Sequence, residues 1–251
     1  SPSTPPAMVH TASLEGQVAI VTGGAQGIGG ACATALAEVG ASVLVVDLAS
    51  PLHDMPGPEA KAAEITRAGG VAEAFEADVT ERSDIEAMIA RAVELWGRLD
   101  VLVNNANGSL PGMKFGGVVD CDEAAWQYQI QISITAIFRA AKLAVPIMAK
   151  TGGGRIVNMS SVHGVLAATS SVAYETVKTA IIGMTKQIAT DVGKQGITCN
   201  CICPGLIIHQ RNAHKSSENA AFDARMYPVR RFGAPEDIAY MARFLWSAAA
   251  S

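Results

Sequence analysis

The chain has 251 residues, 49% of them hydrophobic and 17% charged, enough apolar side chain for a packed core, which excludes the disordered class. A net charge of -4 with no run of Lys or Arg excludes the electrostatic footprint of a nucleic-acid or anionic-membrane binder. One large domain and a small-molecule partner are the expectation at this length.

Residues 1–13, SPSTPPAMVHTAS, are rich in Ser, Pro and Thr and lack the basic start and apolar block of a signal peptide, so a flexible tail is expected before a domain over 14–251. From there, short β-branched runs alternate with longer amphipathic segments. Strands are predicted at VAIVT (18–22), SVLVVD (42–47), VAEAFEAD (71–78), LDVLVNN (99–105), GRIVNMSS (154–161) and ITCNCICP (197–204). Helices are predicted at GIGGACATALAEVG, at DIEAMIARAVELWG, over 122–150 and over 171–193, where apolar residues recur at three and four and a Gly stands near each end.

Six strands separated by helices imply parallel pairing, and apolar strands of this kind occur where helices cover both faces of a sheet. A doubly wound α/β sheet with a Rossmann-type order is the predicted fold. In that fold the loops after strand C-termini form the ligand crevice, which singles out 48–58, 107–117 and 206–228, although the first of these reads rather as a surface turn. The longest apolar stretches, such as ASVLVV (41–46), fall far short of the roughly 20 residues of a membrane span, so a soluble protein is expected.

Five Cys are an odd number, and Cys199, Cys201 and Cys203 alternate on one strand, where they would share a face. Three small buried apolar residues are expected there rather than a metal site, because one strand cannot wrap three thiolates tetrahedrally. No metal site is expected, and the protein should be reduced and cytoplasmic.

VAIVTGGAQGIGG places Gly23, Gly27 and Gly29 between the first strand and the first helix, where a backbone without Cβ atoms can approach a pyrophosphate lying at the helix N-terminus. Asp47 ends the second strand about 20 residues on, where an acid binds a ribose 2′-hydroxyl and repels a 2′-phosphate. Neither Gln26 nor Leu48 offers a phosphate a cation, so NAD is expected rather than NADP. Tyr174 and Lys178 lie four apart on a predicted helix and share a face, on the helix that follows the strand ending in Ser160 and Ser161.

TGGAQGIG, the NNA of 104–106, Ser161, YETVK (174–178) and PG (204–205) together resemble the short-chain dehydrogenase/reductase family over about residues 14 to 251. Thirteen positions separate Ser161 from Tyr174, the family's usual interval, which favours Ser161 over Ser160 as the catalytic serine. The resemblance implies hydride transfer between NAD(H) and a secondary alcohol or ketone. A free phenol titrates near 10, and Lys178 with the nicotinamide ring would stabilise its ionised form so that Tyr174 serves as general acid and base. Ser161 would hydrogen-bond the substrate oxygen.

The same resemblance puts Gly23, Gln26, Gly27, Ile28 and Gly29 on the pyrophosphate, Asp47 and Leu48 at the ribose, and Asp78 and Val79 at the adenine. Asn104 would lie on the adenosine side and the central strand, Asn105 and Ala106 would also meet the cofactor, Pro204, Gly205 and Ile207 would lie at the nicotinamide, and Tyr174 and Lys178 at its ribose. His163, Met113 and Leu206 would meet the substrate. A cluster of Lys114, His163, His209 and Arg211 could bind a carboxylate, or a polar rim could surround an apolar pocket of Met113, Leu206, Met226 and Tyr227. Homo-oligomers, tetramer or dimer, are expected through the helices over 122–150 and 171–193.

Four features depart from the family pattern. Asn107 replaces the Gly of NNAG. His209 stands near the place of a loop Thr. The sequence stops at FLWSAAAS, short of the family's final strand. Ser133 falls where the family has a fourth catalytic residue, an Asn; its hydroxyl is expected to back-bond to the preceding turn, bend the helix and keep a proton relay open. The competing reading is a catalytically silent nucleotide-binding relative acting as sensor or scaffold; the intact Ser161, Tyr174 and Lys178 argue against it.

Overall fold

A computed structural model describes residues 13–48, 57–209, 227–247 and 250. The strands are Val18–Thr22 (β1), Ser42–Asp47 (β2), Val71–Glu76 (β3), Val101–Asn104 (β4), Gly154–Met159 (β5) and Ile197–Ile202 (β6). They form one parallel sheet in the order β3-β2-β1-β4-β5-β6. β1 and β2 have the expected bounds. β3, β5 and β6 are shorter than expected because their C-terminal residues leave the ladder to make loops, and β4 loses Leu99 and Asp100 at its start and Asn105 at its end.

Strand alternation builds two cores. Ala19, Val21, Val43 and Val45 meet helices α1 (Gly27–Ala37) and α7 (Pro235–Trp246) on one face. Val18, Ile20, Leu44 and Val46 meet α3 (Arg82–Trp96) and α5 (Ala136–Lys150) on the other. The remaining helices are α2 (Pro58–Arg67), α4 (Glu123–Gln129) and α6 (Val172–Val192). At Gly97 the left-handed backbone, φ 75°, ends α3 in the way the sequence predicts. The strand order reverses between β1 and β4, so their C-terminal ends open the crevice that this topology provides for a ligand.

The expected single helix over 122–150 is interrupted. Between α4 and α5, residues Ile130–Thr135 form a π-helical turn in which the Ala136 N–H reaches back five residues to the Gln131 carbonyl. Glu123–Lys150 contains an 18-residue window of mean hydropathy 1.6 and is long and apolar enough to cross a membrane, contrary to the impression left by the short apolar runs. Here it packs across the sheet and buries Ala140, Ala144 and Met148.

Candidate active site

The turn after β1 is held from three sides. Gly23 has φ 61°, and a Cβ there would lie 2.9 Å from the Ala106 Cα; Gly29 packs so closely on the Gly23 carbonyl that no side chain fits. Asn105 Nδ2 donates to the carbonyls of Thr22 and Gly23 at 3.2 and 3.0 Å, while Thr22 Oγ1 accepts from the N–H groups of Asn105 and Ala106. Asp47 completes the brace, its Oδ2 accepting from the Ala25 N–H at 3.0 Å and its Oδ1 from the Leu48 N–H at 2.9 Å.

The α1 N-terminus carries no side-chain cap, so its first amides open towards this turn, with Gln26 and Ile28 flanking Gly27. Gln26 Oε1 is buried without a hydrogen-bond partner among the described residues. Uncapped amides, glycines that admit close approach and a carboxylate at the end of β2 together fit a dinucleotide.

Two expected cofactor neighbours are buried. Asn104 lies on the central strand as expected and donates from Nδ2 to Asn158 Oδ1 at 2.8 Å, joining β4 to β5. Val79 is buried in the core on the α3 and α5 face, and Asp78 closes a turn by accepting from Thr80 N and Thr80 Oγ1, both at 2.8 Å.

On the other side of the crevice, Ser160 and Ser161 part company. Ser160 Oγ donates to the Lys178 carbonyl at 2.6 Å, which commits its proton to packing. Ser161 Oγ accepts from the His163 N–H at 3.1 Å and keeps its proton to give. Lys178 is 4% exposed; its Nζ donates to the Met159 carbonyl at 3.0 Å and lies 5.5 Å from the centre of the Tyr174 ring. Burial pushes its pKa down to about 8, with the charge of the neighbouring Cys201 and Cys203 acting the other way.

The Val162 N–H donates to the Pro204 carbonyl at 2.9 Å and ties the serine turn to the PG loop. Farther along that loop Gly205 is exposed, Ile207 is buried and bridges to Gly233, and the His209 ring faces Gly27. The glycine turn, Ser161, Tyr174, Lys178 and the PG loop thus converge on one crevice.

A family model described as enoyl-(acyl carrier protein) reductase matches residues 23–251. The chain is 38% identical over 240 residues to 2-(S)-hydroxypropyl-CoM dehydrogenase 3 of Xanthobacter autotrophicus, covering 93% of this chain and 91% of that one. It is 32% identical over 237 residues to the 3-oxoacyl-[acyl-carrier-protein] reductase FabG of Thermotoga maritima, covering 93% and 92%. It is 33% identical over 249 residues to 3beta-hydroxysteroid dehydrogenase 2 of Eggerthella lenta, covering 95% and 90%. The chain belongs to the short-chain dehydrogenase/reductase family. These relatives are dehydrogenases and reductases, and the family's oxidoreductase activity is what the likeness supports.

In this short-chain dehydrogenase/reductase the Ser133 expectation is corrected. Its hydroxyl is buried without a partner among the described residues and does not back-bond to the preceding turn. The bend arises from the main-chain π turn, which needs no side-chain acceptor. The cysteine expectation is corrected as well: Cys199 is buried, Cys201 is intermediate and Cys203 is exposed, because β6 ends at Ile202 and the chain turns out of the sheet.

Met113 and Leu206 are partly exposed in their loops and Lys114 is exposed, whereas Tyr227 packs edge-on against Phe232 with ring centres 5.6 Å apart. Arg211, Met226 and residues 49–56 lie outside the described residues. Two side chains escape a motif-based reading. Gln129 Nε2 donates to the Gly108 carbonyl at 2.7 Å and anchors the loop after NNA, and Glu175 stands inside YETVK as an unassigned position.

Proposed function

We propose that the protein transfers a hydride between NAD(H) and a secondary alcohol or ketone, with Tyr174 as general acid and base. The observation that carries this reading is the buried Lys178 ammonium 5.5 Å from the Tyr174 ring, on the helix that packs against the Ser161 turn. A bound nicotinamide supplies the hydride acceptor or donor.

The remaining steps belong to side chains of this chain. Ser161, whose oxygen already accepts from His163, donates its proton to the substrate oxygen. Tyr174 takes the hydroxyl proton in oxidation and returns it in reduction. Lys178 sets positive charge beside the phenol, and its two donors not spent on Met159 reach for the cofactor ribose. Ser133 enters only through the backbone of its π turn.

Cofactor choice is assigned to Asp47. Its carboxylate, fixed by Ala25 and Leu48 at the mouth of the glycine turn, suits paired ribose hydroxyls and repels a 2′-phosphate. Initial rates with NAD⁺ and NADP⁺ across simple secondary alcohols test the reading. NADH formation with a preference for NAD⁺ is expected, and NADH binding without turnover of any alcohol or ketone would overturn it.

A further inference from the structure

Glu175 lies beside Tyr174 in sequence, yet its side chain is directed at the serine loop. It is 14% exposed; Oε1 accepts from the Ala168 N–H at 2.7 Å and lies 2.9 Å from Nδ1 of His163. A carboxylate only accepts hydrogen bonds, so the shared proton comes from His163, and Nδ1 is the protonated nitrogen. A neutral imidazole protonated at Nδ1 carries its free lone pair on Nε2, on the far side of the ring from Glu175.

The rest of His163 is held as well. Its own N–H donates to Ser161 Oγ, and its ring meets the Tyr174 ring edge-on with centres 6.4 Å apart. Thr179 Oγ1 donates to the Gly164 carbonyl at 3.1 Å, and a Cβ at Gly164 would meet Ser160 Oγ at 2.7 Å and the Lys178 carbonyl at 2.8 Å, so the turn lies flat on α6. The side chain itself remains 43% exposed. An oriented acceptor nitrogen therefore stands at the rim of the crevice, next to the hydroxyl groups that address the reacting oxygen.

We propose that Glu175 is a positioning residue that holds His163 as a hydrogen-bond acceptor, and that the pair selects secondary alcohols bearing a second hydroxyl on the neighbouring carbon. The inference depends on the alcohol oxidation proposed above and names its substrate class, a vicinal diol or the matching hydroxyketone. Ser161 and Tyr174 engage the reacting oxygen, and Nε2 of His163 accepts from the hydroxyl one carbon away. A substrate with a bare carbonyl at that neighbouring carbon would set lone pair against lone pair and is disfavoured.

The test compares kcat/KM, with NAD⁺ at mildly alkaline pH, for sec-butanol and the matching vicinal butanediol. Glu175→Met removes the acceptor from Nδ1 and so releases the tautomer, while the exposed Ala168 N–H can turn to water. His163→Phe keeps a ring edge against Tyr174 and deletes the nitrogen. The wild type is expected to prefer the diol by about tenfold, the worth of one well-placed hydrogen bond, and both variants to lose most of that preference. A merely structural role would lower both substrates alike and leave the ratio unmoved, which overturns the inference. Turnover of sec-butanol without a diol preference in the wild type overturns it alone. Turnover of neither alcohol overturns the alcohol reading and this inference with it.

Discussion

The carboxylate of Asp47 accepts a hydrogen bond from the Ala25 N–H at 3.0 Å, so the acid that ends β2 is also a brace for the glycine turn. Asp47→Ala combined with Leu48→Arg is therefore expected to do two things. Deleting the anion and adding a cation should raise the NADP⁺ to NAD⁺ ratio in kcat/KM by about tenfold or more. The orphaned amide should cost about 1 kcal/mol of stability, seen as a lower denaturant midpoint. A cofactor ratio that does not move would show that Asp47 stays clear of the ribose.

Tyr174→Phe removes one oxygen and leaves the ring over Lys178. Turnover should fall by about 10²–10⁴-fold, the usual contribution of a positioned acid–base group, while NADH still quenches or enhances fluorescence on binding. A variant that keeps a tenth of the wild-type kcat would take Tyr174 out of proton transfer.

Lys178 carries a linkage that stability measurements on the cofactor-free protein can read. Its folded pKa of about 8 lies below the ordinary 10.5, so between those values the unfolded chain binds the extra proton. The penalty for burying the charged form is present below pH 8 and is relieved as pH rises through that window. Relative to Lys178→Met, the wild type should gain up to about 3 kcal/mol across it, at about 1.4 kcal/mol per unit. Parallel stability curves for the two proteins between pH 7 and 10 would contradict the burial of a charged lysine.

Because the Ser133 hydroxyl is buried and unpartnered, Ser133→Ala should leave Tm unchanged or raise it slightly. The π turn is made by the main chain, so turnover should stay within about twofold and its pH profile should keep its shape. A several-fold loss of kcat would return the hydroxyl to the proton path.

Phe138 stands 54% exposed on α5, on the helix that the sequence singles out for self-association. Light scattering at micromolar concentration is expected to show a dimer or tetramer, and Phe138→Glu is expected to shift it to smaller species. A monomer in the unmodified protein would count against a homo-oligomer.

Much of the architecture is local and was therefore legible in the amino-acid order alone. Runs such as VAIVT and SVLVVD mark strands buried on both faces, and the spacing from Gly23 to Gly29 and on to Asp47 places a phosphate turn and an acid at neighbouring strand ends. Thirteen positions from Ser161 to Tyr174 match the interval usual in the family that the chain resembles and so favour one of two adjacent serines. The tertiary structure decided what depends on meetings between distant elements. Ser160 is spent on the Lys178 carbonyl, Asn104 turns to Asn158, and Glu175 reaches back to His163 and Ala168 across a loop. The lowered pKa of Lys178 exists only because packing removes it from water. The π turn at 130–135 is invisible in residue type, since its side chains suit an α-helix equally and only the hydrogen-bond register differs. Sequence periodicity reports which face of an element is apolar; which polar atom meets which is settled when those faces close on one another.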